Sequence, residues 1–133
     1  MSEHRPTTGE NLPKPAGPYV PAMTFERLIF VSGQGAFDAG GELAGPGAAA
    51  QTEQVLKNVD DILKASGSSL QHVLRCGVFL VDMADFSAMN SVYERMFDGH
   101  KPARTTVQVA ALPGEGMRVE IDAVAYVPAG KSG

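Results

Sequence analysis

Apolar and polar positions along this 133-residue chain follow two different periods. Val55, Leu56, Val59, Ile62 and Leu63 fall at i, i+1, i+4, i+7 and i+8, one apolar stripe on a helix predicted over residues 48–66. Gly67 supplies its left-handed stop. Phe86, Met89, Asn90, Tyr93, Met96 and Phe97 form a second stripe, predicting a helix over 84–97 with Asp82 or Asp85 as cap and Gly99 as terminator. The remaining apolar segments read as strands. Residues 28–31, Leu-Ile-Phe-Val, form a short continuous run of the kind covered on both faces. Residues 74–81, 104–110 and 117–126 are further strands, and 19–23 is a short edge strand because Pro18 and Pro21 would break a central ladder.

The segments between them are loops. Six glycines lie between Gly33 and Gly47, with Asp38-Ala39-Gly40-Gly41 the strongest turn signal. Residues 1–18 carry four prolines and read as an extended or mobile lead-in rather than a folded element. Residues 19–127 then form one domain, and 128–133 a flexible tail. The order β-β-α-β-α-β-β predicts an α+β fold with two helices on one face of a largely antiparallel or mixed sheet.

Strand parity sorts the last two strands. Met117, Val119, Ile121, Ala123 and Ala125 point under the helices, leaving Arg118, Glu120, Asp122, Val124 and Tyr126 on the opposite face. If strands 104–110 and 117–126 pair as neighbours, Arg104, Thr106 and Glu120 share that face. A strand apolar on both sides needs a second cover, and two helices supply only one. A homo-oligomer packing sheet faces together is the simplest supply, with clefts at its seams.

Composition narrows the chemistry. A net charge of −4 without a basic run argues against nucleic acid as a partner. The single cysteine, Cys76, excludes an internal disulfide and fits a reducing compartment. No apolar run approaches the roughly 20 residues of a membrane span, and the N-terminus lacks a signal-peptide plan. A soluble, cytoplasmic protein is therefore expected. His4, His72 and His100 have no metal-ligand spacing, and Cys76 reads as a core residue. Ser32-Gly33-Gln34-Gly35 lacks the signatures of a nucleotide loop, although a glycine N–H there can serve as an oxyanion donor.

Two residues stand out. Pro102-Ala103-Arg104 fixes the backbone before a strand and brings a guanidinium to a defined place, suited to gripping a carboxylate. Glu120 sits in mid-strand, where glutamate is disfavoured, and can orient or deprotonate a water. An ion pair of Arg104 with Glu120 or Asp122 is the competing reading of the same residues.

Along nearly its whole length the chain resembles the RidA/YjgF/UK114 (Rid) family. The matching segments are GPYVPA (17–22), LIFVSGQ (28–34), QTEQVLKNVDDILKASG (51–67), VFLVDMADFSAMNSVYERMF (78–97), PARTTV (102–107) and VEIDAVA (119–125). The resemblance implies a chorismate-mutase-like fold, a homotrimer with sheet faces packed centrally and three clefts between subunits. It also implies cofactor-free hydrolysis of 2-imino or enamine acids, such as 2-aminoacrylate or 2-iminopropanoate, to a 2-keto acid and ammonia. Carried over by motif, Arg104 would bind the substrate carboxylate and Glu120 would position water. Tyr19, Ser32 and Gly33 would line the pocket, with Asn90 supporting it and Thr106 at its rim.

The sequence departs from the family at Thr106, where a Cys or small residue is common, at Lys101 in a short 98–103 loop, and at Asp122, the second acidic residue of a Glu-Ile-Glu pattern. Those changes point to a branch other than RidA proper. A larger enamine of the aminomuconate type is an alternative substrate, and a non-catalytic metabolite-binding or chaperone-like role is the alternative of a different class.

Overall fold

The computed structural model describes residues 3–129, so 130–133 of the expected tail lie outside the described residues. The strands are β1 (Arg5–Thr7), β2 (Ala22–Phe25), β3 (Leu28–Gln34), β4 (Val73–Leu80), β5 (Ala103–Gln108) and β6 (Val119–Tyr126). Helix α1 spans Ala48–Ala65 and α2 spans Phe86–Phe97. One sheet holds all six strands in the order β1-β2-β3-β6-β4-β5, with only β4 and β5 parallel. Both helices pack on one face, as an α+β sandwich requires.

The helical stripes were legible. Val55, Leu56, Val59, Ile62 and Leu63 are fully buried, and Gly67 takes φ +89° to end α1. Asp82 caps a 3-10 turn (Met83–Asp85) through the Ala84 N–H, whereas Asp85 makes no side-chain cap for α2. In α2, Met89, Val92, Tyr93 and Phe97 are buried, while Phe86 remains 37% exposed and Asn90 half-buried.

Two of three expectations change. First, the lead-in contains structure: β1 pairs antiparallel with β2, and Leu12 is buried in the core. An edge strand tolerates Pro6 because one of its two sides needs no ladder partner. With β1 outside it, the neighbouring strand is no longer an edge; it starts at Ala22, just beyond Pro21. Second, and as expected, β3 is covered by its own chain on one face only. Ile29 and Val31 are buried under the helices, while Leu28 and Phe30 are 42% and 47% exposed beside Tyr126 and Val124 of β6.

Third, β5 and β6 are not neighbours. The β4–α2–β5 unit is a crossover connection, which returns the chain parallel to β4. The final strand then enters antiparallel between β3 and β4. Parity along β6 holds regardless: Met117, Val119, Ile121, Ala123 and Ala125 are buried, and Glu120, Asp122, Val124 and Tyr126 are half-buried on the other side.

Two buried polar residues of α1 fasten the loops over its N-terminal half. The Gln51 amide donates to the Gly45 and Gly116 carbonyls at 2.8 and 2.9 Å and accepts from the Arg118 N–H at 2.7 Å. Asn58 donates to the carbonyls of Gly35 and Phe37 at 3.1 and 2.8 Å. Removing such a side chain strands backbone groups that water reaches poorly. Gln51→Leu is expected to destabilise the fold by about 3 kcal/mol, measured as a shift of the urea midpoint at unchanged slope; an unshifted midpoint would refute the role assigned to Gln51.

Candidate active site

Pairing register places the two singled-out residues on opposite faces. Arg104 lies beside Cys76 of β4, whose side chain is fully buried under the helices, so Arg104 is on the helix face. Glu120 lies beside Phe79, one of the positions between the buried Val78 and Leu80, and so faces away from the helices. The expectation that Arg104, Thr106 and Glu120 share the non-helix face is therefore corrected. It assumed that β5 pairs with β6, whereas β4 intervenes. Two strand spacings and a three-residue offset along β4 put their Cα atoms about 14 Å apart. Among the described residues Arg104 forms no ion pair, which removes the bridge to Glu120 or Asp122.

Instead Arg104 sits among aromatic side chains. Its Cζ is 4.7 Å from the centroid of the Tyr93 ring and 5.6 Å from that of Phe86, and Nη1 is 4.0 Å from the Met89 sulfur. Asn90, Lys101 and Pro102 line the same cleft. Thr106 is two residues along β5 on the same face, opposite Val78, and does not line that cleft. The Tyr93 hydroxyl is buried without a hydrogen-bond partner of good geometry. Burial, helped by the nearby Cys76 thiol, pushes the phenol far above its usual pKa, while Arg104 pulls the other way. Burial likewise pushes the Cys76 thiol up to about 11, so it stays protonated and structural.

The other cluster surrounds Glu120. Tyr19, Gly33 and Glu120 line one pocket with Phe37, Pro113 and Met117. The Glu120 carboxylate packs so closely on Gly33 that a Cβ there would collide with it. Gly33 lies in the irregular stretch of β3 between Val31 and Gln34, which lets the strand bend around the carboxylate. Ser32 borders an adjoining hollow with Tyr19; its hydroxyl donates to the Val20 carbonyl at 2.7 Å, and its N–H donates to that of Pro21 at 2.9 Å. Tyr19 is 48% exposed and accepts from the Ala16 N–H.

The fold thus collects the predicted residues into two groups: Tyr19, Ser32, Gly33 and Glu120, and Asn90 with Arg104. Sequence reasoning missed the wall residues Phe37 and Pro113, which come from loops without periodicity, and assigned Met117 to the core alone. It placed Phe86 and Tyr93 on a core stripe, where their spacing of two helical turns was the available signal. No group of His, Cys, Asp and Glu able to hold a metal occurs among the described residues. Both described histidines whose bonds are defined serve local structure: His100 Nε2 contacts the Val73 carbonyl and His72 Nδ1 the Ser69 hydroxyl. No helix of the described residues is long and apolar enough to cross a membrane.

An α+β domain with two helices over a mixed six-stranded sheet is the fold this chain shares with solved structures that superpose on nearly its whole length. Residues 9–127 match the family model described as Endoribonuclease L-PSP. The chain belongs to that family, the RidA/YjgF/UK114 proteins. A Mus musculus relative named 2-iminobutanoate/2-iminopropanoate deaminase is 44% identical over 114 residues, covering 85% of this chain and 84% of its own. Protein DfrA of Myxococcus xanthus is 45% identical over 119 residues, covering 87% of this chain and 90% of its own. Among solved structures, E. coli TdcF with bound serine superposes with a TM-score of 0.86 at 33% identity, over 92% of this chain and 98% of its own.

Glu120 itself makes a test. Burial first, and the neighbouring Asp122 second, hold its carboxyl above the ordinary glutamate value. Its proton is then bound more tightly in the folded chain than in the unfolded one. The stabilisation this gives is complete below the unfolded pKa and is lost as pH rises through the raised folded value. Glu120→Gln should therefore gain stability relative to the parent as pH rises through that window. Denaturant melts giving the same stability difference at about pH 4 and about pH 8 would contradict the raised value.

Proposed function

We propose that this protein is a hydrolytic deaminase of small 2-imino acids and their enamine tautomers, releasing a 2-keto acid and ammonia. The observation that carries the reading is the Arg104 guanidinium, half-buried in a cleft where, among the described residues, it forms no ion pair, although Glu94 also lines that cleft. A guanidinium so placed suits a substrate carboxylate, which it can take in a two-pronged grip. The relatives named as 2-iminobutanoate/2-iminopropanoate deaminases support the substrate class.

In the proposed reaction Arg104 holds the C1 carboxylate and Glu120 orients a water over C2. An enamine takes a proton from solvent at C3, and a neutral imine takes one at nitrogen, and both give the same iminium. As the water oxygen bonds to C2, the C2=N π electrons move to nitrogen and Glu120 accepts a water proton. The resulting carbinolamine collapses when Glu120 returns that proton to nitrogen. The C2–N bond breaks and ammonia leaves with its electron pair, while the C2 hydroxyl gives its proton to Glu120 as the carbonyl forms; ammonia then carries that proton off as ammonium. A carboxyl held above the ordinary glutamate value is better matched to this exchange near neutral pH than an exposed one. Imine hydrolysis has a low intrinsic barrier, so positioning and charge complementarity suffice without a cofactor.

The carboxylate and C2 of such a substrate are adjacent atoms, whereas Arg104 and Glu120 of one chain lie on opposite faces. The reading therefore includes a second copy: Arg104, Asn90 and Thr106 of one subunit face Tyr19, Ser32, Gly33 and Glu120 of the next. A homotrimer with sheet faces packed centrally would also cover Leu28 and Phe30.

The test generates 2-iminobutanoate in situ with an amino-acid oxidase and follows its loss by semicarbazide trapping. The protein should accelerate clearance, and Arg104→Ala and Glu120→Gln should each lower kcat/KM about 100-fold. Clearance no faster than in buffer would sink the proposal, and 2-oxobutanoate binding without turnover would favour the metabolite-binding role. Arg104→Ala and Glu120→Ala chains refolded together should regain about a quarter of parental activity, because one random subunit pairing in four restores an intact cleft. No recovery in mixed trimers would refute the shared site.

A further inference from the structure

The contacts that hold Arg104 are unusual for a half-buried cation. Its Cζ lies within 6 Å of two ring centroids, those of Tyr93 and Phe86, the range in which a ring's negative face attracts a cation. No ion pair to it forms among the described residues. A carboxylate in place of either ring would fix the guanidinium equally well, but would also cancel its charge and compete with any anionic ligand. A ring attracts through its quadrupole and carries no net charge. Guanidinium groups stack through their faces and bond carboxylates through their edges, so the two contacts are compatible on one arginine.

The rings are themselves fixed. Tyr93 is 7% exposed and packs against Phe97, with ring centroids 4.5 Å apart. Phe86 is the first residue of α2, and the turn that precedes it is tied down by Gln108 at the end of β5 and by Arg118 just before β6. The Asp85 carboxylate accepts from Arg118 Nε at 2.8 Å, and the Gln108 side-chain carbonyl accepts from the Met83 N–H at 2.7 Å. The Tyr93 hydroxyl lies near Cys76 and Arg104 without a hydrogen bond of good geometry, so removing it in Tyr93→Phe separates the part played by the ring from that of the hydroxyl.

From this geometry we infer that Tyr93 and Phe86 are positioning residues for Arg104, two ring faces that fix its guanidinium while leaving its charge free for a substrate carboxylate. The inference rests on the reading of Arg104 as the carboxylate anchor, though it needs only binding and no turnover. It also adds a requirement to the site: the onset of α2 has to be held for the anchor to be aimed.

The experiment measures the Kd of 2-oxobutanoate by calorimetry on the full-length protein, with thermal melts as a control for folding. Phe86→Leu, at a partly exposed position, should weaken binding about fivefold without lowering the melting temperature, and Tyr93→Leu about tenfold. Tyr93→Phe should recover most of the Tyr93→Leu loss. Replacing Phe86 with mono-, di- and trifluorinated phenylalanines drains the ring face while nearly keeping its shape, and should weaken binding stepwise. A Kd unchanged across that fluorinated series, or in Phe86→Leu, would overturn the inference. If 2-oxobutanoate binds the parent and Arg104→Ala equally, the carboxylate anchor fails instead, and the two failures are told apart. Turnover plays no part in either outcome.

Discussion

The ladder along both edges of β6 is the constraint on which the molecule depends. This strand is hydrogen-bonded to β3 on one side and to β4 on the other, and its buried residues are the floor on which α1 packs. A strand fixed on both edges cannot slip by one residue without exchanging its core face for its open face. Glu120 and Asp122 are thereby held away from the helices, and partial burial there raises the Glu120 carboxyl above its ordinary pKa.

The same ladder divides the chemistry. Inserting β6 between β3 and β4 pushes β5 to the sheet's edge, and β5 carries Arg104 on the helix face. Acid and cation are thus kept apart within a chain, which prevents them from neutralising each other. On the proposed reading, in which both charges serve one small ligand, this separation is a gain, since an ion pair formed in the free protein would have to be broken on binding. Each is supported by local contacts of a different kind: Glu120 by its close fit over Gly33, Arg104 by the rings of α2.

Buried polar side chains connect the scaffold to the pockets. Gln51 and Asn58 lie on the face of α1 that would ordinarily be wholly apolar, and both spend their amides on loop carbonyls. The loops they hold include Phe37 and Gly116, beside the wall residues of the Glu120 pocket. A helix thereby fixes segments that have no periodicity of their own and would otherwise be held only by their ends.

Local periodicity was enough for α1, α2 and the face parity of β6, because each depends on neighbours within a few residues. The stripe at Val55 to Leu63 and the alternation from Val119 to Ala125 are direct records of which side meets the core. The motifs also marked Arg104 and Glu120, and the family they belong to, since residue identity at fixed spacing survives without coordinates. Strand order could not be read that way. That β6 pairs with β3 and β4, and that β5 lies beyond them, depends on a crossover and on contacts between residues far apart in the chain. Pairing partners leave no mark on hydrophobic period. The opposite facing of Arg104 and Glu120, and the aromatic rings that hold Arg104 in place, were therefore decided only by the tertiary structure.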